Sequence, residues 1–239
     1  RLAEPDDIVV AAGRLLMPAQ TLAGRRVIVS AGPTYEDIDP VRYVGKRSSG
    51  KMGFALAEEC ARRGARVTLV AGPTTGQRPT SVETFRVRTA AEMHEAVVSL
   101  ARDADVVIMA AAVADYAPVR VSQKIAKDGD EFVLRMARTP DILADLGRRR
   151  AAGELPKTRL VGFAAETSDV VARAKEKRRR KQVDMIVAND VSRTDRGFDV
   201  DQNEVTVVTE SGEEAVPLGS KADIARAIIE RIEPLLARA

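Results

Sequence analysis

VIVSAGPTYEDIDPVRYVGKRSSGKMG, residues Val27 to Gly53, carries two signals of different period. The β-branched run Val27-Ile28-Val29 reads as a buried strand, and Ser30-Ala31-Gly32-Pro33-Thr34 breaks it with small residues and a proline. Farther on, Ser48-Ser49-Gly50-Lys51 opens a helix, with Met52, Leu56 and Glu59 at helical spacing. A strand, a small-residue loop and a Ser/Gly-rich helix start together suit an anion. Unpaired backbone amides and the positive end of the helix dipole favour phosphate there. The segment contains neither GxGxxG nor GxxxxGK[ST], so neither the dinucleotide fingerprint nor the P-loop is licensed.

Working outward, strand and helix patterns alternate. Strands are expected at Arg26–Ser30, Arg66–Ala71, Thr84–Val87, Val106–Ala112, Leu160–Ala164 and Met185–Ala188. Helices are expected at Gly50–Arg63, Ala90–Ala101, Pro140–Arg150, Asp169–Gln182 and Lys221–Ala237. This predicts an α/β fold, a Rossmann-like parallel sheet covered by helices on both faces. Ligands of such sheets lie beyond the carboxyl ends of the strands. Gly32 to Thr34, Gly72 to Thr74, Asp115-Tyr116, Phe163 to Glu166 and Asn189-Asp190 all fall there. Two segments break the alternation. Lys124–Met136 reads as a hairpin flap turning at Asp128-Gly129, and Glu204–Thr209 with Glu214–Leu218 reads as a second hairpin. These extra hairpins are expected to form a flap and a dimer surface. Residues 1–20 read as a polar helix, Pro5–Leu16, in a linker, with the main domain at 21–239.

Composition narrows the chemistry. The 239 residues are 45% hydrophobic and 31% charged, which suits a soluble globular protein. No apolar run could span a bilayer and no signal peptide is visible, so a cytoplasmic location without membrane association is expected. Cys60 is the one cysteine and His94 the one histidine, which excludes a disulfide framework and disfavours zinc. Cys60 reads as structural and His94 as solvated. No Ser–His or Cys–His pair is available for covalent catalysis, which favours positioning and charge neutralisation. Basic residues cluster at Arg148-Arg149-Arg150 and from Lys175 to Lys181. The second run is either a solvated helix face or a polyphosphate clamp, since Lys177 and Lys181 share a face. Aromatic residues make up only 3%, leaving few platforms for base stacking, and no nucleic-acid partner is expected. Ala110 to Ala114 lets a ligand lie on the backbone before Asp115, which can hydrogen-bond a sugar, hold a metal or cap a turn. Lys124, on the flap, can close over phosphates.

AGPTYEDIDPVRY, SSGKMGFALA, AAAVADY, QKIAK, TPDIL, VGFAAET, the basic helix and ANDVS follow in that order. With them, Leu22 to Leu236 resembles the phosphopantothenoylcysteine synthetase family of coenzyme A biosynthesis. The resemblance implies a CTP-dependent ligase that joins phosphopantothenate to cysteine through an acyl-cytidylate, with Mg²⁺. It implies nucleotide contacts at Gly32, Ser48, Ser49, Gly50, Met109, Ala110, Ala111, Asp115, Lys124, Pro140, Asp141, Ile142, Leu143, Phe163, Lys177 and Lys181. Arg42, Lys46 and Ala111 would meet the acyl substrate, and Lys46 and Lys124 would serve catalysis. It further implies a homodimer within a larger assembly, fused behind a decarboxylase that carries FMN. One position departs from the family: Lys46 stands where bacterial members typically have asparagine. A lysine there donates from a flexible point charge. Two other classes fit parts of the sequence less well, an NAD(P) oxidoreductase lacking its glycine fingerprint and a nucleic-acid module suggested by the arginine runs.

Overall fold

A computed structural model describes residues 19–237 apart from 75, 77, 128 and 193–201. The predicted helix Pro5–Leu16 lies outside the described residues. Six strands run parallel: β1 (Arg26–Ala31), β4 (Arg66–Ala71), β5 (Glu83–Arg86), β6 (Val106–Met109), β9 (Arg159–Glu166) and β10 (Met185–Asp190). They join β11 (Gln202–Val208) and β12 (Glu213–Ser220), which pair antiparallel, in one sheet ordered β12-β11-β10-β9-β6-β1-β4-β5.

Period-two side-chain alternation divides the core. Val27, Val29 and Ala31 of β1 join Val106 and Ile108 of β6 and Met185 and Val187 of β10 on one face. Against them pack helices α1 (Lys51–Arg62) and α5 (Lys221–Ala237), through Leu56, Ala57, Ile224 and Ile228. Ile28, Val107, Met109, Ile186 and Ala188 point the other way. There they meet α2 (Ala90–Ala101), α3 (Ile142–Ala151) and α4 (Val170–Lys181). Both faces are therefore covered, as the uninterrupted apolar strands require. Among the described residues no helix is long and apolar enough to cross a membrane.

Chain order places the crevice. From β1 the chain moves through β4 to the edge strand β5, then returns to β6 on the opposite side of β1 and continues to β9 and β10. The β1–β6 boundary is thus where the order reverses, and loops leaving these strands diverge.

Several expectations need correction. The strand predicted over Val106–Ala112 stops at Met109, because the Ala111 amide donates to Ser30 Oγ (3.1 Å) rather than to a neighbouring strand. The hairpin predicted within Lys124–Met136 instead pairs β7 (Tyr116–Pro118) with β8 (Met136–Arg138), and the polar segment between them makes the loop. Its backbone is held by Asp39, which accepts from the Ile125 amide at 3.1 Å. The second hairpin is β11–β12 and extends the main sheet rather than standing on top of it. A hairpin not foreseen joins β2 (Tyr35–Asp37) to β3 (Tyr43–Gly45). Tyr35 and Tyr43 stack at 3.9 Å, with the Arg88 guanidinium 5.7 and 5.6 Å from their ring centres and bound to Asp37. His94 is not solvated: it is partly buried, with Nε2 3.0 Å from Asp145. Cys60 is buried as expected, and burial pushes its thiol up to about 12.

Gly147 couples this packing to the site. A β-carbon there would lie 1.9 Å from the carbonyl oxygen of Lys181, so α3 and α4 touch only because the residue is glycine. Gly147→Ala is expected to lower stability by about 1–3 kcal/mol, the ordinary cost of overpacking. A denaturation midpoint equal to wild type would show that the two helices can part without cost.

Candidate functional site

At the carboxyl ends of β1, β6, β9 and β10 the diverging loops leave a cavity of about 600 Å³. On one side stands the start of α1. Gly50 adopts a left-handed conformation (φ 78°), which turns the chain sharply into the helix, and no side chain caps this end. Thr89 caps α2 and Asp141 caps α3, whereas α4, like α1, starts without a side-chain cap. An uncapped start leaves the first-turn amides to whatever occupies the cavity.

The floor is the segment after β6. Two buried hydroxyls shape it: Ser30 Oγ accepts from Ala111, and Thr34 Oγ1 accepts from Ala114 at 2.9 Å. Backbone bonds from Ala112 to Gly32 (2.9 Å) and from Thr34 to Ala112 (3.3 Å) complete the lacing. Asp115 emerges at the mouth, where its carboxylate lies 2.7 Å from Lys46 Nζ. This ion pair joins the hairpin side of the mouth to the floor. It is solvent-exposed and therefore weak, so a ligand group can replace either partner at small cost.

The opposite wall comes from α3 and α4. Lys177 donates to the Phe163 carbonyl (3.0 Å), and Lys181 lies 2.9 Å from Asp141 Oδ1. Burial, and secondarily the Lys181 charge, hold Lys177 below the usual lysine range. Burial pushes Asp141 upward, but the Lys181 hydrogen bond and the Ala144 amide outweigh it and hold the carboxyl below its ordinary value. The carboxylates of Glu166 and Asp141 offset part of the repulsion that Lys181 and Lys46 exert on Lys177, and an anionic ligand would relieve the rest.

Most of the sequence-predicted site converges here. Lys46, Ser48, Ser49, Gly50, Met109, Ala110, Ala111, Asp115, Pro140, Asp141, Ile142, Leu143, Phe163, Lys177 and Lys181 all line the cavity. Gly32, Arg42 and Lys124 stand apart from this lining. Gly32 lies beneath the floor and bonds Ala112. Arg42 pairs with buried Asp39 at 3.1 Å and donates to the Ile125 carbonyl at 3.3 Å. Lys124 is exposed on the loop that Arg42 and Asp39 secure. Asn203 and Lys221 also line the cavity and went unnoticed in the sequence, as did Arg138. The one available signal was Asn189, already placed beyond the end of a strand.

This arrangement is that of a Rossmann-like α/β domain with a cavity at the carboxyl ends of its parallel strands, and the chain belongs to the DNA/pantothenate metabolism flavoprotein C-terminal domain family, whose model matches residues 22–235. It is 41% identical, over 99% of its length, to the coenzyme A biosynthesis bifunctional protein CoaBC of Vibrio vulnificus, and 44% identical, again over 99%, to that of Haemophilus influenzae. The chain spans 58% and 59% of the length of those two relatives. Among solved structures, the crystal structure of the C-terminal domain of a CoaBC protein matches with a TM-score of 0.78 at 41% identity, covering 92% of this chain and all of that one.

Because Lys177 binds an anion only while protonated, inorganic pyrophosphate should bind fully at low pH and release as pH rises through the depressed Lys177 value. Lys177→Met is expected to cost about 1.5–3 kcal/mol of binding, a charge-assisted contact. Lys177→Arg should carry binding to higher pH. Calorimetric affinity that stays level up to the ordinary lysine range would remove Lys177 from the anion site.

Proposed function

We propose that this chain is a phosphopantothenate–cysteine ligase driven by CTP. The observation that carries the reading is the cavity at the sheet's reversal point, with an uncapped helix start on one wall and the Lys177–Lys181 pair on the other. Membership of the family and the likeness to coenzyme A biosynthesis proteins support it.

In the first step a carboxylate oxygen of phosphopantothenate attacks the α-phosphorus of CTP, the bond to the β-phosphate breaks, and pyrophosphate leaves. In the second, the amine nitrogen of cysteine attacks the acyl carbon and loses a proton, while the bond from that carbon to the CMP oxygen breaks. Neither step needs a covalent enzyme intermediate. The protein's work is to bring like-charged groups together and hold them, and cations on a fixed frame do that. Lys177 and Lys181 would hold the nucleotide on the α3–α4 wall. The amides of α1, with Ser48 and Ser49, would hold phosphate. Lys46 would leave Asp115 for the incoming carboxylate and then stabilise charge on the acyl oxygen.

Magnesium fits as an ion carried by the triphosphate. Among the described residues no three His, Cys, Asp or Glu side chains converge on one point, so these residues offer the ion no cage of their own. Asp115, exposed at the mouth, is the carboxylate that would hold the ion, and the ion would supply charge neutralisation of the phosphates when bound. FMN belongs, in this reading, to a fused decarboxylase outside this chain.

A homodimer completes the reading. Val41 and Tyr43 on the β2–β3 hairpin, and Val119, Phe132 and Val133 on the β7–β8 loop, expose apolar surface on adjoining elements. A second copy would bury that patch and steady the loops carrying Arg42 and Lys124. Light scattering at micromolar concentration should give the dimer mass, and a monomer would refute this arrangement.

The ligase reading predicts pyrophosphate release only when phosphopantothenate and CTP are both present, with the other three nucleoside triphosphates compared in parallel. Release without the acid would sink it. In the same assay Lys46→Ala and Lys124→Ala should each slow turnover at least about tenfold, equivalent to 1.4 kcal/mol of barrier. Lys46→Asn, restoring the residue usual in the family, should retain activity. Full activity of both alanine variants would place those lysines outside the chemistry.

A further inference from the structure

Buried Asp39 stands between two segments, each of which carries a lysine assigned above to the chemistry. It lies in the turn of the β2–β3 hairpin and is only 1% exposed. Past β3 the chain runs straight into Lys46, at the cavity mouth. The second segment is the loop between β7 and β8, on which Lys124 sits exposed. Asp39 is not part of the cavity lining, so it acts on a ligand there only through other residues.

Its two carboxylate oxygens face different segments. Oδ1 accepts from the amides of Val41 at 2.8 Å and Arg42 at 3.0 Å, both in its own turn. Oδ2 accepts from the Ile125 amide at 3.1 Å and lies 3.1 Å from Arg42 Nε. Arg42 in turn donates to the Ile125 carbonyl at 3.3 Å, so both backbone groups of the residue after Lys124 are held. Two further ties from the same loop end on this hairpin. The Val121 amide donates to the Ile38 carbonyl at 3.0 Å, and Arg120 lies 4.0 Å from Asp37. A loop without strand pairs of its own takes its position from contacts of this kind, and bonds to an ionised acceptor are the stronger ones.

Serving both segments at once takes a carboxylate. Asparagine has the same shape but one acceptor oxygen, and its NH₂ would meet either the Ile125 amide or the turn amides donor against donor. We propose that Asp39 is a positioning residue for Lys124. One oxygen shapes the turn that leads to Lys46, and the other sets the loop lysine at a fixed place relative to it. Two anionic substrates that must meet at one point need the cations around them held in register, and a displacement of about 1 Å in such a frame can cost about a hundredfold in rate. The inference rests on the ligase reading and deepens it, naming the residue through which the two lysines share one frame.

Limited digestion of the full chain with trypsin reads the tie without reference to activity, because the enzyme cuts the Lys124–Ile125 peptide, whose N–H is the one Asp39 holds. In Asp39→Asn, cleavage there should rise roughly fivefold, the factor by which one lost hydrogen bond raises the population of the opened loop. Cuts outside residues 119–135 should keep their wild-type rates. In the pyrophosphate-release assay Asp39→Asn should slow turnover by a similar factor. Combined with Lys124→Ala, its loss should fall well short of the product of the two single losses, because a lysine out of position has already given up its role. Should Asp39→Asn fold poorly, as its melting temperature would show, Ile125→Pro removes the same bond from the donor's side and should give the same pattern. Losses that multiply would make Asp39 a structural residue independent of Lys124 and overturn the proposal. Wild-type cleavage at Lys124, or faster cleavage with unchanged turnover, would also overturn it. Failure of wild type to release pyrophosphate with CTP and phosphopantothenate would refute the ligase reading itself, before any variant is compared.

Discussion

The pairing of β1 with β6, Val27 opposite Val106 through Ser30 opposite Met109, is the constraint on which the rest of the molecule depends. These strands are adjacent in the sheet but far apart in the chain, because the segments between them build the β4–β5 side first. Connections leaving the two strands must therefore go to opposite sides, and no backbone fills the gap between them. Two buried hydroxyls on the β1 side, Ser30 and Thr34, take up the amides of Ala111 and Ala114 where the β6 strand would otherwise have continued. The floor of the cavity is thus held without large side chains, which is why a ligand can lie on it.

Around that floor the charges follow one design. Three of the cations lining the cavity are each held by a partner they can exchange: Lys46 by exposed Asp115, Lys181 by the capping Asp141, Lys177 by a main-chain carbonyl. Such contacts fix the direction of a side chain in the absence of ligand, and none neutralises the lysine as fully as a phosphate would. Reorganisation on binding is correspondingly small, the condition under which electrostatic stabilisation is most effective. The permanent ion pairs lie elsewhere. Arg63 with Glu59, Glu230 and Glu233 ties α1 to α5 well below the cavity and keeps the two helix starts level.

The mouth is built differently from the floor. The β2–β3 hairpin and the β7–β8 loop have few strand pairs of their own and depend on side chains. Arg88 covers the Tyr35–Tyr43 stack, and buried Asp39 gathers amides from Val41, Arg42 and Ile125. This places Arg42, Lys46 and Lys124 on segments whose positions are coupled to one another. Substrate or a second subunit acting on one of them would be felt by the others.

Much of this was present in the sequence. Apolar runs bounded by small residues located the parallel strands, because such runs are stable only when buried on both faces. The spacing of Lys177 and Lys181 placed both on one helix face, and Ser48-Ser49-Gly50 marked a helix start suited to an anion. These are local properties, set by propensity and period. Tertiary structure decided the rest. Ser30 and Thr34 looked like strand-breaking residues, and only the neighbouring β6 loop shows that they carry the floor. The segment Lys124–Met136 has a turn signal, yet its pairing strands lie on either side of it, since strand pairing is settled by a partner and not by the turn alone. Asn203 and Lys221 sit on elements that reach the cavity only because β11 and β12 extend the sheet and return the chain to α5. No local period encodes such an encounter between distant segments, because it arises from how the sheet is ordered.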